Sequence, residues 1–347
     1  MDYNSNSDKK PAKLWILADD RPGTFSQSLA LAQALKIKYE IIKIDYNFFS
    51  KLPNFLLKLY PLHFNRNNLK QLVEKTINNN LQPQIIISAG RKASLIGIFL
   101  KKKFEKTKLI QIMQPEINYN KFDIVILPNH DKPKYKKGNI LYSVGALNQI
   151  NPEIIIENKE KFKKIFNKIN QKIVVLLVGG NSKKNYYDKK SVIKLCHETN
   201  NFVKKLNCQL LILNSRRTSP EITQLIKKNI NCQNIFFEWD KVKNNNPYLA
   251  SIGFADYFIA TGDSVSMISE CCSSGRPVFI FDQKKISSKK HRIFHQELYK
   301  NGYAFPLNNI ENYDLKSFYN MINELKVSKL NEAYRISKEI IKKFNIH

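Results

Sequence analysis

The residues from Thr261 to Val278 read Thr-Gly-Asp-Ser-Val-Ser-Met-Ile-Ser-Glu-Cys-Cys-Ser-Ser-Gly-Arg-Pro-Val. An apolar run ends at Thr261, and small and hydroxyl residues then open a helix. Unpaired backbone amides and the positive end of the helix dipole favour an anion there, such as a diphosphate. Asp263, Ser264 and Ser266 stand at that helix start. Glu270 follows Ser266 by four residues, one turn along the same face, where a carboxylate can accept hydrogen bonds from a ribose diol. Gly275 suits a left-handed helix end, and Pro277 cannot continue a helix. Taken singly, Asp263 or Ser264 is equally a helix cap and Glu270 a solvated helix residue.

Other strand-end loops carry further candidates. Gly179-Gly180-Asn181-Ser182 lets backbone approach a ligand closely, yet it has neither a Walker Lys-Ser/Thr nor the G-x-G-x-x-G spacing. Arg216 and Arg217 offer fork-shaped donors suited to phosphate oxygens. Asp19 and Asp20, in a turn continued by Arg21-Pro22-Gly23, are candidates for a general base that deprotonates an acceptor hydroxyl, or for a capping turn. Ser88-Ala89-Gly90-Arg91 is a small-residue loop whose arginine could position an acidic acceptor. His130, beside Asp131, could be a base or a ligand contact. Residues 46–64 are aromatic, leucine-rich and punctuated by lysine. They read as buried core or as a surface that beds into an anionic membrane leaflet.

The elements that must hold these residues are legible as alternating apolar runs and helical stretches. Strands are expected at 14–19, 39–45, 83–90, 108–113 and 122–128, then at 172–180, 209–215, 234–239, 256–261 and 277–281. Helices are expected at 26–37, 67–79, 91–103, 157–171, 191–206, 222–230, 246–255 and 264–274, with two more near the C-terminus. Such alternation implies parallel sheets covered on both faces. The chain therefore divides into a tail at 1–12, a Rossmann-like domain at 13–156 and a linker helix at 157–171. A second Rossmann-like domain follows at 172–325, with a C-terminal helix at 326–347. Ligands of doubly wound sheets bind at strand carboxyl ends, and a cleft between two such domains is the default site.

Composition narrows the partners. The 347 residues include 57 Lys+Arg against 29 Asp+Glu, a formal charge of +28. That field attracts phosphorylated substrates, anionic membranes or nucleic acid. The basic residues are scattered, with no basic arm, zinc-finger spacing or aromatic RNA-binding signature, so nucleic acid is disfavoured. The five cysteines form no C-x-x-C pair, which fits a reducing compartment. No run approaches the length of a membrane span, and the first dozen residues lack a signal peptide's apolar region. A cytoplasmic protein, able to work peripherally on the inner face of the cytoplasmic membrane, is expected.

The string Ser266-x-x-x-Glu270-x-x-x-x-Gly275-x-Pro277-Val278 resembles the donor-site signature of GT-B glycosyltransferases. More closely, the segments 18–35, 87–94, 122–131, 179–183, 215–220 and 246–270 resemble the family of plant mitochondrial-fission factors and its bacterial glycosyltransferase-like homologues. The resemblance runs in order through both expected domains. It implies an α/β GT-B fold, two doubly wound Rossmann-like domains facing across a cleft. It also implies transfer of a sugar from a nucleotide-sugar to a cell-envelope acceptor, such as a lipopolysaccharide core or glycolipid, with no metal and no cofactor beyond that co-substrate. Gly179, Gly180, Asn181, Ser182, Arg216, Arg217, Asp263, Ser264, Ser266 and Glu270 would bind donor. Arg21, Gly23, Ser88, Gly90, Arg91 and His130 would meet acceptor, with Asp19 or Asp20 as base. The plant members' link to membrane fission leaves open a non-catalytic, membrane-peripheral adaptor that retains the fold.

Overall fold

The computed structural model describes residues 13–18, 21–52, 64–133, 138–182, 185–242, 245–308 and 310–346. They fall into two compact units: one runs to Ser143 and resumes at Ala333, the other is Val144–Glu332.

In the first unit the strands are β1 (Leu14–Ala18), β2 (Tyr39–Lys43), β3 (Ile85–Ala89), β4 (Lys108–Ile112), β5 (Ile124–Pro128) and β6 (Ile140–Ser143). They pair in parallel in the order β2-β1-β3-β4-β5-β6. Helices α1 (Pro22–Leu35), α2 (Arg66–Asn78) and α3 (Gly90–Lys103) connect them. Helix α1 starts on a proline, whose fixed φ suits a first turn, and ends at Lys36 in the left-handed region. Every residue of β3 is buried, as a strand covered on both faces requires.

In the second unit the strands are β7 (Ile173–Val178), β8 (Gln209–Asn214), β9 (Asn234–Phe237), β10 (Tyr257–Thr261), β11 (Val278–Phe281) and β12 (Phe305–Pro306). Their order is β12-β11-β10-β7-β8-β9, again parallel. The helices are α4 (Pro152–Phe166), α5 (Lys189–Leu206), α6 (Pro220–Asn229), the short α7 (Trp239–Val242), α8 (Tyr248–Phe254), α9 (Val265–Ser274), α10 (Lys289–Lys300) and α11 (Leu315–Asn323). Strand β7 divides its side chains between two cores: Val174, Leu176 and Val178 join Phe202 and Phe279 on one face. Ile173, Val175 and Leu177 join Phe166 and Phe258 on the other. The chain runs from β7 to β8 and β9 on one side, then returns to lay β10 on β7's other flank. The carboxyl ends of β7 and β10 are thus a topological switch point.

Three boundaries differ from the sequence expectation. The first unit ends at Ser143 rather than 156, because α4 packs on the second sheet: Phe162 and Phe166 are buried, and Phe166 stacks on Phe254 at 4.6 Å. The expected linker helix at 157–171 is therefore, as far as Phe166, the second half of α4 and part of the second unit, with a turn after it. The final helix α12 (Glu332–Phe344) belongs from Ala333 onward to the first unit, where Arg335 donates to the Tyr142 carbonyl and Lys343 to that of Gly138. The tail at 1–12 lies outside the described residues.

Candidate functional site

The sheet order sets β10, β7 and β8 side by side, so their carboxyl ends bring together the Gly179–Ser182, Ser215–Thr218 and Thr261–Ser264 loops. Asp263 joins the three. Its side chain is 1% exposed and paired with Arg217. One carboxylate oxygen accepts from the Tyr187 hydroxyl at 2.5 Å and the Thr261 hydroxyl at 2.8 Å. The other accepts from the Gly180 amide and the Arg217 Nη2, each at 3.0 Å. A buried carboxylate is tolerated only with such partners. Burial, and then the adjacent Asp263 charge, push the Tyr187 hydroxyl well above its ordinary 10, so it stays protonated and donating.

The paired glycines are needed for close approach. A Cβ on Gly179 would lie 2.2 Å from the Asp263 carboxylate, and one on Gly180 would lie 2.0 Å from the Arg217 carbonyl oxygen. The same loop ties itself further: the Asn181 side chain accepts from the Tyr187 amide, and the Ser182 hydroxyl from the Asn185 amide. Arg217 spends its other Nη on the Gly180 carbonyl at 3.0 Å. Hence the side chains of Asn181, Ser182, Arg217 and Asp263, expected as ligand contacts, all bond within the protein: Arg217 and Asp263 to each other, Asn181 and Ser182 to backbone amides of the 185–187 segment. Arg216 is exposed, with no hydrogen bond or ion pair among the described residues.

Helix α9 starts beside this knot. Ser264 caps it by accepting from the Met267 amide at 3.4 Å, while the amides of Val265 and Ser266 and the Ser266 hydroxyl have no partner among the described residues. Glu270, one turn on, is half-buried and accepts a short hydrogen bond from the Tyr248 hydroxyl. Desolvation pushes its carboxyl up to about 7, against the lowering effect of that bond. Burial, then the neighbouring Glu270 charge, raise the Tyr248 hydroxyl well above 10. At the helix end Gly275 adopts φ +78, as its sequence position predicts.

Several groups here were not singled out in the sequence. Tyr187 and Tyr248 carry no motif of their own. Asp282 follows β11 and lies 3.3 Å from the fully buried His295 of α10, without hydrogen-bond alignment. The same helix carries His291 in its capping box. Burial holds the His291 imidazole below its ordinary value, His295 adds to the effect and Asp263 opposes it.

The first unit's candidates fare differently. Asp19, Asp20, residues 53–63 of the aromatic stretch and Lys183 lie outside the described residues. Ser88 is fully buried, its hydroxyl 2.7 Å from the Gln111 amide oxygen, so it serves the core rather than a ligand. Gly90 adopts φ +69, a backbone shape that its lack of a Cβ permits. Arg91 clamps the turn at 48–52, donating to the carbonyls of Ser50 and Leu52, and pairs with Glu116 at 3.7 Å. Arg21 and Gly23 are exposed at the start of α1, where a Cβ on Gly23 would meet nothing within 4 Å. His130 sits half-buried in a turn after β5. Beside the undescribed stretch, Phe48 is 77% exposed. No helix among the described residues is long and apolar enough to cross a membrane.

Comparison with known proteins agrees with this architecture. The family model described as Mitochondrial fission ELM1 matches residues 22–344. The uncharacterized protein RP120 of Rickettsia prowazekii (strain Madrid E) is 34% identical over 358 residues, covering 95% of this chain and 97% of that one. A UDP-glucosyltransferase from Polygonum tinctorium superposes with a TM-score of 0.58 at 10% identity, covering 97% of this chain and 99% of that one. A UDP-GlcNAc 2-epimerase from Neisseria meningitidis, bound to UDP-GlcNAc, gives 0.53 at 14%, covering 96% and 99%. At such identities the structural matches establish the fold, two Rossmann-like domains of the GT-B type.

Proposed function

Since the chain belongs to the mitochondrial fission ELM1 family and has a GT-B fold, we propose that it is a glycosyltransferase that holds a nucleotide-sugar on α9. The observation that carries this reading is the pairing, on one helix at a topological switch point, of unengaged amino-terminal amides with a half-buried carboxylate one turn later. A diphosphate fits the amides of Val265 and Ser266, with the Ser266 hydroxyl and the free Arg216 guanidinium as further donors. The ribose diol fits the Glu270 carboxylate. Gly179, Gly180, Asn181, Ser182, Arg217, Asp263 and Ser264 act by holding that surface in shape rather than by touching the ligand through their side chains.

In the transfer step the bond from the sugar to the diphosphate breaks and its electron pair stays on the diphosphate. Arg216 and the α9 amides, preorganised for that charge, stabilise it. An acceptor hydroxyl attacks the anomeric carbon, and Asp19 or Asp20, next in sequence after β1, takes its proton. A lipopolysaccharide core or glycolipid at the cytoplasmic face of the membrane is the acceptor class that suits the basic surface.

The test is thermal shift of the whole chain with UDP, GDP, CMP and their sugars. One nucleotide is expected to raise the melting temperature, and Glu270→Ala to remove most of that rise. A flat response to every nucleotide, identical in wild type and Glu270→Ala, rejects the enzyme and leaves the alternative of a non-catalytic membrane-peripheral adaptor on the same fold.

A further inference from the structure

The amino edge of the first unit's sheet holds a cavity of about 660 Å3, within the range of small-ligand sites. Five lysines line it, Lys13, Lys36, Lys38, Lys106 and Lys108, and no acidic residue is among its described lining residues. Strand pairing fixes this arrangement. The Lys38 carbonyl accepts from the Leu14 amide at 3.3 Å, and the Lys13 carbonyl from the amides of Gln84 and Ile85 at 2.8 and 3.1 Å. The Gln84 carbonyl in turn accepts from the Lys108 amide at 2.8 Å. The residues before β2, β1 and β3 and at the start of β4 are thereby fixed in one row, and three of those four positions carry a lysine.

Helix dipoles account for part of this charge. Lys36 caps α1, and Lys106 follows the end of α3, where a cation offsets the exposed carbonyls. Lys13 precedes a strand and has no such role. Lys108 reaches Asp123 only at 3.7 Å, because Lys101 already holds that carboxylate at 2.5 Å. Gathering like charges costs free energy unless an anion answers them. Ile37, Ile85 and Phe344 line the same cavity. Their apolar surface lowers the local dielectric and strengthens what the ammonium groups offer.

We propose that this cavity binds a multiply phosphorylated anion, at a site that shares no residue with the nucleotide site of the second unit. The chemistry required is two or more phosphates within reach of three to five ammonium groups, which both a free polyphosphate and the headgroup of a bisphosphorylated lipid provide. A duplex nucleic acid would need an extended stripe of cations rather than a local cluster of lysines around one cavity.

Calorimetric titration of the full chain with tripolyphosphate is the primary measurement. The triple variant Lys13→Gln, Lys38→Gln, Lys106→Gln is compared with Lys161→Gln, Lys163→Gln, Lys164→Gln on α4, which changes the net charge equally. All six lysines are exposed, so both variants are expected to melt as wild type does. Saturable binding weakened about tenfold or more by the first triple, and less than about twofold by the second, is the expected result for three lost charge-assisted contacts. Equal weakening in both, or no saturable binding, overturns the proposal, since a diffuse field then explains the attraction. A second arm separates the sources. Cosedimentation with phosphatidylcholine vesicles doped with phosphatidylinositol bisphosphate, competed away by tripolyphosphate, assigns the headgroup. Binding of tripolyphosphate without cosedimentation assigns the free anion.

Discussion

Glu270 is the residue whose chemistry depends most on its surroundings. A glutamate carboxyl that folding raises from 4.5 to about 7 keeps its proton over a range in which the unfolded chain releases it. The folded state therefore binds more protons between those values. Stability is greatest below about pH 4.5 and declines as pH rises through 7. Glu270→Gln is expected to abolish that decline, so that the variant equals or exceeds wild type in melting temperature at alkaline pH. Ligand binding has the opposite sign, because a ribose diol needs the ionised carboxylate. Affinity for the nucleotide that gives the thermal shift is expected to strengthen from about pH 6 to pH 8 in wild type and to stay flat, about tenfold weaker at the upper end, in Glu270→Gln. Tyr248→Phe removes the hydrogen bond that lowers the carboxyl, so the midpoint of the affinity curve should move to higher pH. Titration of that nucleotide into the three proteins across that range measures both curves. A wild-type affinity independent of pH would show that Glu270 is not the ribose contact.

At the scale of elements, the strand-end loops act as one fitted assembly, and glycine substitutions report it. Gly180→Ala sets a methyl group 2.0 Å from the Arg217 carbonyl oxygen, so the backbone of one loop must move. The bonds from Gly180 to Asp263 and from Asn181 to Arg217 share that backbone and should loosen with it. A loss of about 1–3 kcal/mol is expected by denaturant unfolding, together with loss of the nucleotide-induced thermal shift. Gly23→Ala, with no atom within 4 Å of the new methyl and a helical position that favours alanine, is expected to be neutral or to stabilise by up to about 1 kcal/mol. These contrasts mark what the sequence could disclose. Strands buried on both faces announce themselves as Val/Ile/Leu runs, so β1, β3, β7, β8, β10 and β11 were legible, and with them the loops that meet. Helix α10 was not, because only Phe294, His295 and Leu298 of its twelve residues are buried, too sparse a stripe to stand out among lysines. Strand β6 is four residues long and β12 two, below the length at which an apolar run is distinctive. The fate of Asp263 was equally hidden. Its partner Tyr187 is 76 residues away, and nothing local signals that a carboxylate on a promising loop has all its acceptors occupied from within.

At the scale of the whole molecule, the chain leaves its first unit at Ser143 and returns to it at Ala333, which periodicity cannot reveal because a terminal amphipathic helix reads the same whichever sheet it covers. The return has a testable consequence. In α12, Ile336 and Ile340 are fully buried and Ser337 is 1% exposed. Arg335 and Lys343 donate to carbonyls of residues 142 and 138, within and flanking β6 respectively, and the Phe344 ring lies beneath Lys108 at 5.9 Å. A chain stopped after Glu332 loses the burial of both isoleucines, about 3–6 kcal/mol in total, from the first unit. Amide hydrogen exchange is expected to accelerate in β4, β5 and β6, more than 180 residues before the cut, while β7 and β10 of the second unit, much nearer in sequence, keep their protection. The nucleotide-induced shift, which depends on α9 and its neighbours, is expected to survive the truncation. Faster exchange in β7 and β10 with β5 and β6 unchanged would instead assign the terminal helix to the second unit, and the division of the chain would have to be redrawn.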